Sequence, residues 1–310
     1  MTRRQDRDDR RARARRRRAI VAVAGGVIGS AVLTAVLVAG GRTPAPGTGP
    51  PPVPAAASLP VPSQSAVAPA APPCSDPVLR VALDSGRDEP AIAAAGGADA
   101  FRSAVTTGRV PCVTLSDPAR LWVVVNKQRP LVPADAAPGG LTEVPVRSLN
   151  AGILRADAAD ALGSLFAAAA QAGAGEMVQL SGYRSYGTQT DTYADHVAAQ
   201  GQVEADLGTA RPGFSEHQTG LAADVVACDG GCGGLDDFAG TAQQQWVAAH
   251  AWEFGFIVRY EDGRTSVTGY EPEPWHLRFV GPALARAYHE GGWHSLEEFF
   301  GLPPAPDYAD

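Results

Sequence analysis

The spacing of apolar positions changes period several times between residues 121 and 281, and each change marks an element. "LWVVVN" (121–126) has the β-branched, aromatic character of a buried strand, whereas "RADAADALGSLFAAAAQAG" (155–173) repeats Leu and Phe at helical spacing and stops at glycine. "EMVQLSGYRS" (176–185) predicts a strand running into a turn, and "SYGTQTDTYADHVAAQG" (185–201) a helix ending at Gly201. After the loop "ARPGFSEHQTG" come the strand "LAADVVA" (221–227), the helix "TAQQQWVAAHAWEFG" (241–255) and two further strands, "FIVRY" (256–260) and "WHLRFVG" (275–281). Residues 74–120 alternate polar and apolar patches around one expected helix at about 89–107, and are expected to form a small N-terminal region ahead of a main domain spanning 121–310. Helices and strands mix without βαβ alternation or a glycine-rich phosphate loop. The expected class is α+β, with a mainly antiparallel sheet and flanking helices.

One polar position disturbs this pattern. Alternation along "LAADVVA" puts Leu221, Ala223 and Val225 on one face and Ala222, Asp224 and Val226 on the other, so Asp224 stands where a small apolar residue would otherwise do. A buried carboxylate needs a cation, a metal or a hydrogen-bond network. The same alternation groups His276 with Arg278 and Val280, opposite Trp275, Leu277 and Phe279. With His217 in the preceding loop, His276 and Asp224 make two imidazoles and one carboxylate, a set that suits zinc with a fourth position left open. Glu273, three residues before His276, is the candidate general base. On spacing alone each histidine reads more readily as a hydrogen-bonded core residue than as a ligand, and Glu273 as a solvated turn residue. His196, His250, His289 and His294 are read as helix-surface or packing residues, and Trp246, Trp252 and Trp275 as core.

Composition changes the picture at the N-terminus. Residues 1–18 carry ten arginines against three aspartates, a net of +7, and Ala19–Gly41 holds no charge and is long enough to cross a bilayer as a helix. An arginine-rich flank before such a span predicts a cytoplasmic tail (1–18) and a single transmembrane anchor (19–41), with a cleaved signal peptide as the rival. Residues 42–73, rich in Pro, Ala and Ser, are expected to be a disordered, extended linker. Removing +7 from the whole-chain charge of −7 leaves −14 for residues 19–310, which argues against a nucleic-acid partner. The four cysteines all follow the linker. They permit three pairings, of which the local solution, Cys74 with Cys112 and Cys228 with Cys232, is the expected one. A zinc site at "CDGGC" would lack two further ligands.

Four segments carry a resemblance. "SGYRSYGTQ" (181–189), "SEHQTGLAADV" (215–225) and "EPWHLRFVG" (273–281) resemble the signature blocks of the D-alanyl-D-alanine carboxypeptidase family that includes the VanY enzymes, and "NKQRPL" (126–131) resembles its entry segment. The likeness covers roughly residues 121–291. It implies the zinc peptidase fold shared by the DD-peptidases and hedgehog proteins. It also implies one Zn2+ per chain on His217, Asp224 and His276, with Glu273 as general base. Arg184 matches the arginine that stabilises the oxyanion or the substrate carboxylate, and Ser215 and Gln189 match polar positions near the substrate C-terminus. The implied substrate is the D-Ala terminus of peptidoglycan stem peptides, cleaved by a domain facing outwards from the cytoplasmic membrane. An L,D-carboxypeptidase, a stem-peptide endopeptidase and a non-catalytic wall-binding module are the alternatives. Two departures stand out: Glu271-Pro272 precedes the "EPWH" block, adding a second carboxylate, and the "CDGGC" loop follows the Asp224 strand as an insertion.

Overall fold

Asp76 starts the first helix. Its carboxylate accepts from the amides of Val78 and Leu79, and Pro77 takes the first turn, giving α1 (Pro77–Asp84). The computed structural model describes residues 73–150 and 152–309. The expected tail and anchor, and the linker up to residue 72, lie outside the described residues; among those described, no helix is long and apolar enough to cross a membrane. The single helix expected at 89–107 is two, α2 (Asp88–Ala94) and α3 (Ala98–Thr106). They are separated by Gly96 and Gly97, whose φ angles of +96° and +92° take the chain out of the helical region.

These helices do not form a region of their own. Leu79, Ile92 and Phe101 pack with Trp122, Leu284 and Phe299 in one core cluster, and the described residues fall within one compact unit. The buried Asp88 carboxylate ties them down, accepting from the amide of Leu121 at 2.7 Å and from Arg120 Nη1 at 3.1 Å. Both expected disulfides are present, Cys74–Cys112 and Cys228–Cys232.

The main core is built on a four-stranded antiparallel sheet. In chain order come a two-stranded ribbon, β1 (Leu141–Glu143) and β2 (Ile153–Arg155), then α4 (Ala156–Gln171), β3 (Met177–Ser181), α5 (Tyr186–Gln200), α6 (Gln202–Gly208), β4 (Ala222–Ala227) and α7 (Ala242–His250). They are followed by β5 (Phe256–Tyr260), α8 (Thr265–Thr268), β6 (Glu273–Phe279), α9 (Pro282–Glu290) and α10 (Leu296–Phe299). The sheet order is β3-β4-β6-β5. Ala223, Val225, Leu277, Phe279 and Phe256 line its back face and pack against Leu162, Leu165 and Phe166 of α4 and Val247 of α7. That burial frees the front face for polar side chains.

"LWVVVN" is not one of the strands. It starts in a turn and its side chains alternate, sending Leu121, Val123 and Val125 to the main core and Trp122 and Val124 to the second. Its carbonyls, however, bond to side chains: Leu121 O and Val123 O accept from Arg278 Nη2 at 3.0 and 2.9 Å, and Val124 O from Arg129 Nε. Guanidiniums take the place of a neighbouring strand.

Candidate metal centre

β4 and β6 pair with Asp224 opposite His276, so the two side chains leave the front face side by side. His217 comes from a short 3-10 turn, Glu216–Thr219, which ends at Gly220 with φ +70° and turns the chain into β4. His217 Nδ1 donates to Gly182 O at 2.8 Å, which aims Nε2 at Asp224 Oδ2, 3.2 Å away. Gly182 cannot carry a side chain there, because a Cβ would meet the carbonyl of Ile153 and lie 2.6 Å from Gln179 Nε2. His276 turns Nδ1 to Asp224 Oδ1 at 3.2 Å and Nε2 to Glu216 Oε2 at 3.3 Å.

One ligand atom from each of His217, Asp224 and His276 lies within 4.8 Å of the others, and all three residues are buried. Asp224 Oδ1 has no partner in hydrogen-bond alignment. A buried carboxylate with one orphaned oxygen, faced at Oδ1 by His276 and at Oδ2 by His217, is resolved by a cation among them, and the N, N, O donor set fits zinc.

The charges agree with this. Burial raises the cost of ionising Asp224, but His217 and His276 beside it hold its carboxyl well below the usual range. Burial lowers the pKa of His217, keeping it a neutral donor. Burial also opposes protonation of His276, yet Asp224 and Glu216 outweigh it and carry its pKa up to about 9. Glu273 lies 3.5 Å from His276 Nδ1, and burial pushes its carboxyl up to about 8. A carboxyl this basic suits a proton acceptor. The neighbouring Glu271 is exposed and stands outside the cleft.

Arg184 enters from the turn after β3. Its Nη1 donates to Gln189 Oε1 at 2.9 Å, its Nη2 to Ser181 Oγ at 3.2 Å, and Nη2 stands 3.8 Å from Asp224 Oδ2. Gln189, the other polar residue expected near the substrate C-terminus, contacts Arg184 directly. It is fully buried, and its amide is committed to Arg184 and to Ala210 O at 2.7 Å, so it orients the arginine. Ser215 does line the cleft, a cavity of about 160 Å³ that also takes in Arg184, His217, Asp224, Glu273 and His276.

Further residues complete the cleft. His196 and Thr192 project from one face of α5, with His196 Nδ1 3.1 Å from Thr209 Oγ1, and Trp275 and Tyr260 form further wall. The i, i+4 spacing of Thr192 and His196 was the available signal, but nothing in the sequence says which face of α5 meets the cleft. The other three histidines pack as expected: His250 stacks on Trp246, His289 on Trp252, and His294 pairs with Glu261. Leu235, just past the "CDGGC" loop, adds one wall.

Glu216 is the residue that sequence reasoning missed. It is wholly buried, with Oε1 accepting from Arg259 Nε and Arg278 Nη1, both at 3.0 Å. Although burial works against its charge, the two guanidiniums keep it a carboxylate. Arg259 in turn forks onto both oxygens of the buried Glu297, at 2.7 and 3.0 Å.

Comparison with known proteins gives relatives of this chain. The family model described as VanY, D-alanyl-D-alanine carboxypeptidase, matches residues 152–282, from β2 to the start of α9. The putative carboxypeptidase YodJ of Bacillus subtilis is 38% identical over 192 residues, covering 60% of this chain and 69% of that protein. A D-alanyl-D-alanine carboxypeptidase of Enterococcus faecalis is 38% identical over 129 residues, 38% of this chain and 45% of its own. Among solved structures, the LdcB LD-carboxypeptidase superposes with a TM-score of 0.55 at 37% identity, covering 60% of this chain and 88% of its own.

Proposed function

This chain belongs to the VanY family of D-alanyl-D-alanine carboxypeptidases, and from that premise we propose that it is a zinc-dependent hydrolase removing the C-terminal D-Ala from peptidoglycan stem peptides. The observation that carries the reading is the buried triplet His217, Asp224 and His276, with Glu273 3.5 Å from His276 Nδ1 inside one cleft. A wall-binding module has no use for so basic a carboxyl beside a metal set.

Zinc bound by His217, Asp224 and His276, one ion per chain, would supply Lewis acidity and make a water ionisable near neutral pH. Glu273 takes a proton from the attacking water as the C–O bond forms at the carbonyl of the penultimate residue. It returns that proton to the amine of the departing D-Ala as the C–N bond breaks. Arg184, held by Gln189 and Ser181 beside Asp224, places its remaining donors against the oxyanion that develops. Ser215, in the wall of the same cleft, binds the substrate C-terminus in this reading. Residues 19–41, behind their arginine-rich flank, support an anchor in the cytoplasmic membrane with the hydrolase facing the wall.

The test is Glu273→Gln in the purified protein, assayed on a stem pentapeptide ending in D-Ala-D-Ala and on the tetrapeptide ending in one D-Ala. The reading requires one zinc per chain in both proteins, with turnover only in the parent and on the pentapeptide. Turnover of the tetrapeptide alone would make it an L,D-carboxypeptidase, and equal behaviour of parent and variant would remove the enzyme.

A further inference from the structure

His276 has to meet a metal through Nδ1, which requires its proton to sit on Nε2. The partner of Nε2 is Glu216 Oε2 at 3.3 Å. Glu216 cannot turn away, because its other oxygen is gripped by Arg259 and Arg278 from β5 and β6. Arg259 is gripped by Glu297 of α10, whose Oε1 also accepts from Asn126 Nδ2 at 2.8 Å. The four ionised side chains, Glu216, Arg259, Arg278 and Glu297, are all fully or nearly fully buried and sum to zero charge. None of them belongs to the ligand triplet, only Glu216 touches it, and Glu297 lies beyond residue 282, where the family match ends.

We propose that Glu216 is a positioning residue that fixes the tautomer and ring orientation of His276, and that Arg259, Arg278 and Glu297 hold Glu216 in place, making α10 part of the metal centre's support. The inference rests on the zinc reading above. Buried ion quartets are weak contributors to stability compared with apolar packing of the same volume. A role in orienting a ligand accounts for one that spans a loop, two strands and a terminal helix.

The geometry makes Glu216→Gln a sharp test. Both arginines require an acceptor at Oε1, so the glutamine oxygen must stay on them and its NH2 is forced towards His276 Nε2. Donor then faces donor, and the imidazole relieves the conflict by moving its proton to Nδ1, the ligand atom. Outer carboxylates of this kind change metal affinity by about 10- to 100-fold.

The experiment measures zinc affinity of the full chain against a competing chelator, and the visible spectrum of the cobalt(II)-substituted protein, for the parent and Glu216→Gln. Should the single variant fail to fold, Glu216→Gln combined with Arg278→Met keeps the buried charge at zero and leaves the Arg259–Glu297 fork intact. The expected result is zinc binding weakened about 10- to 100-fold, with an altered cobalt spectrum, in a variant that still melts cooperatively. Lower thermal stability with unchanged affinity and spectrum would overturn the positioning role and leave only a structural one. A parent protein that binds no zinc would defeat the metal reading itself, a separate outcome.

Discussion

Glu273 stands at the first position of β6, where the strand emerges from the core into the cleft, so it is buried enough to be basic yet open to a substrate. Glu273→Gln keeps the shape and removes the proton acceptor. The expected loss in kcat is about 10²- to 10⁴-fold with zinc content unchanged, read by metal analysis alongside initial rates. The titrations of Glu273 and His276 give a second prediction. Both pKa values are raised in the folded, metal-free protein, to about 8 and about 9. Each therefore contributes stability that is present at low pH and is lost as pH rises through those values. The metal-free melting temperature is expected to fall between pH 6 and 9. Zinc, which displaces the His276 proton, should add more to it at pH 9 than at pH 6. Calorimetric scans with chelator and with zinc check this, and a zinc gain that shrinks as pH rises would contradict it. Strand alternation singled out Asp224 and His276, but the set of His217, Asp224, His276 and Glu273 was legible through the resemblance of three sequence blocks to the VanY family. Glu216 was not, since a charged residue in a loop gives no sign that its partners arrive from β5, β6 and α10.

At the scale of elements, the β4–β6 register carries the site, and the turn before β4 supplies its third ligand. Gly182 joins them, since its carbonyl holds His217 and its missing Cβ lets the chain pass Ile153. Gly182→Ala is expected to cost about 1–3 kcal/mol in urea unfolding, because the obstacle is backbone, and to weaken zinc binding as His217 shifts. An alanine variant that keeps both stability and zinc affinity would refute this. The periodic segments were legible as elements: α4, α5, α7 and the four sheet strands fall where apolar spacing puts them. "LWVVVN" shows the limit of the method. Its residues alternate like a strand because they are buried on both sides, but pairing depends on what meets the backbone, and there it is Arg278 and Arg129. Likewise, Gly96-Gly97 splits a helix that propensity on either side would have joined.

The molecule as a whole couples its chemistry to segments outside the matched family region. Residues 74–120 pack against α9 and α10 in the second core, and Asp88 is their polar lock on the Arg120–Leu121 corner. Asp88→Ala leaves the buried Leu121 amide without its acceptor while Arg120 keeps Asp117 and Leu83 O, and is expected to destabilise the protein by about 1–3 kcal/mol. Turnover per folded molecule should stay at the parental value, as urea titration and rate measurements on the soluble fraction would show. That integration was hidden in the sequence because the contacts span some 200 positions and no local pattern announces them. The central claim is that this fold exists to place a metal and a base at a D-alanyl terminus. Its most direct test is mass spectrometry of muropeptides ending in D-Ala-D-Ala, incubated with the purified protein before and after zinc is stripped and restored. Loss of one alanine that disappears with the metal and returns with it is the result this account predicts. Intact muropeptides in the presence of folded, zinc-loaded protein would contradict it.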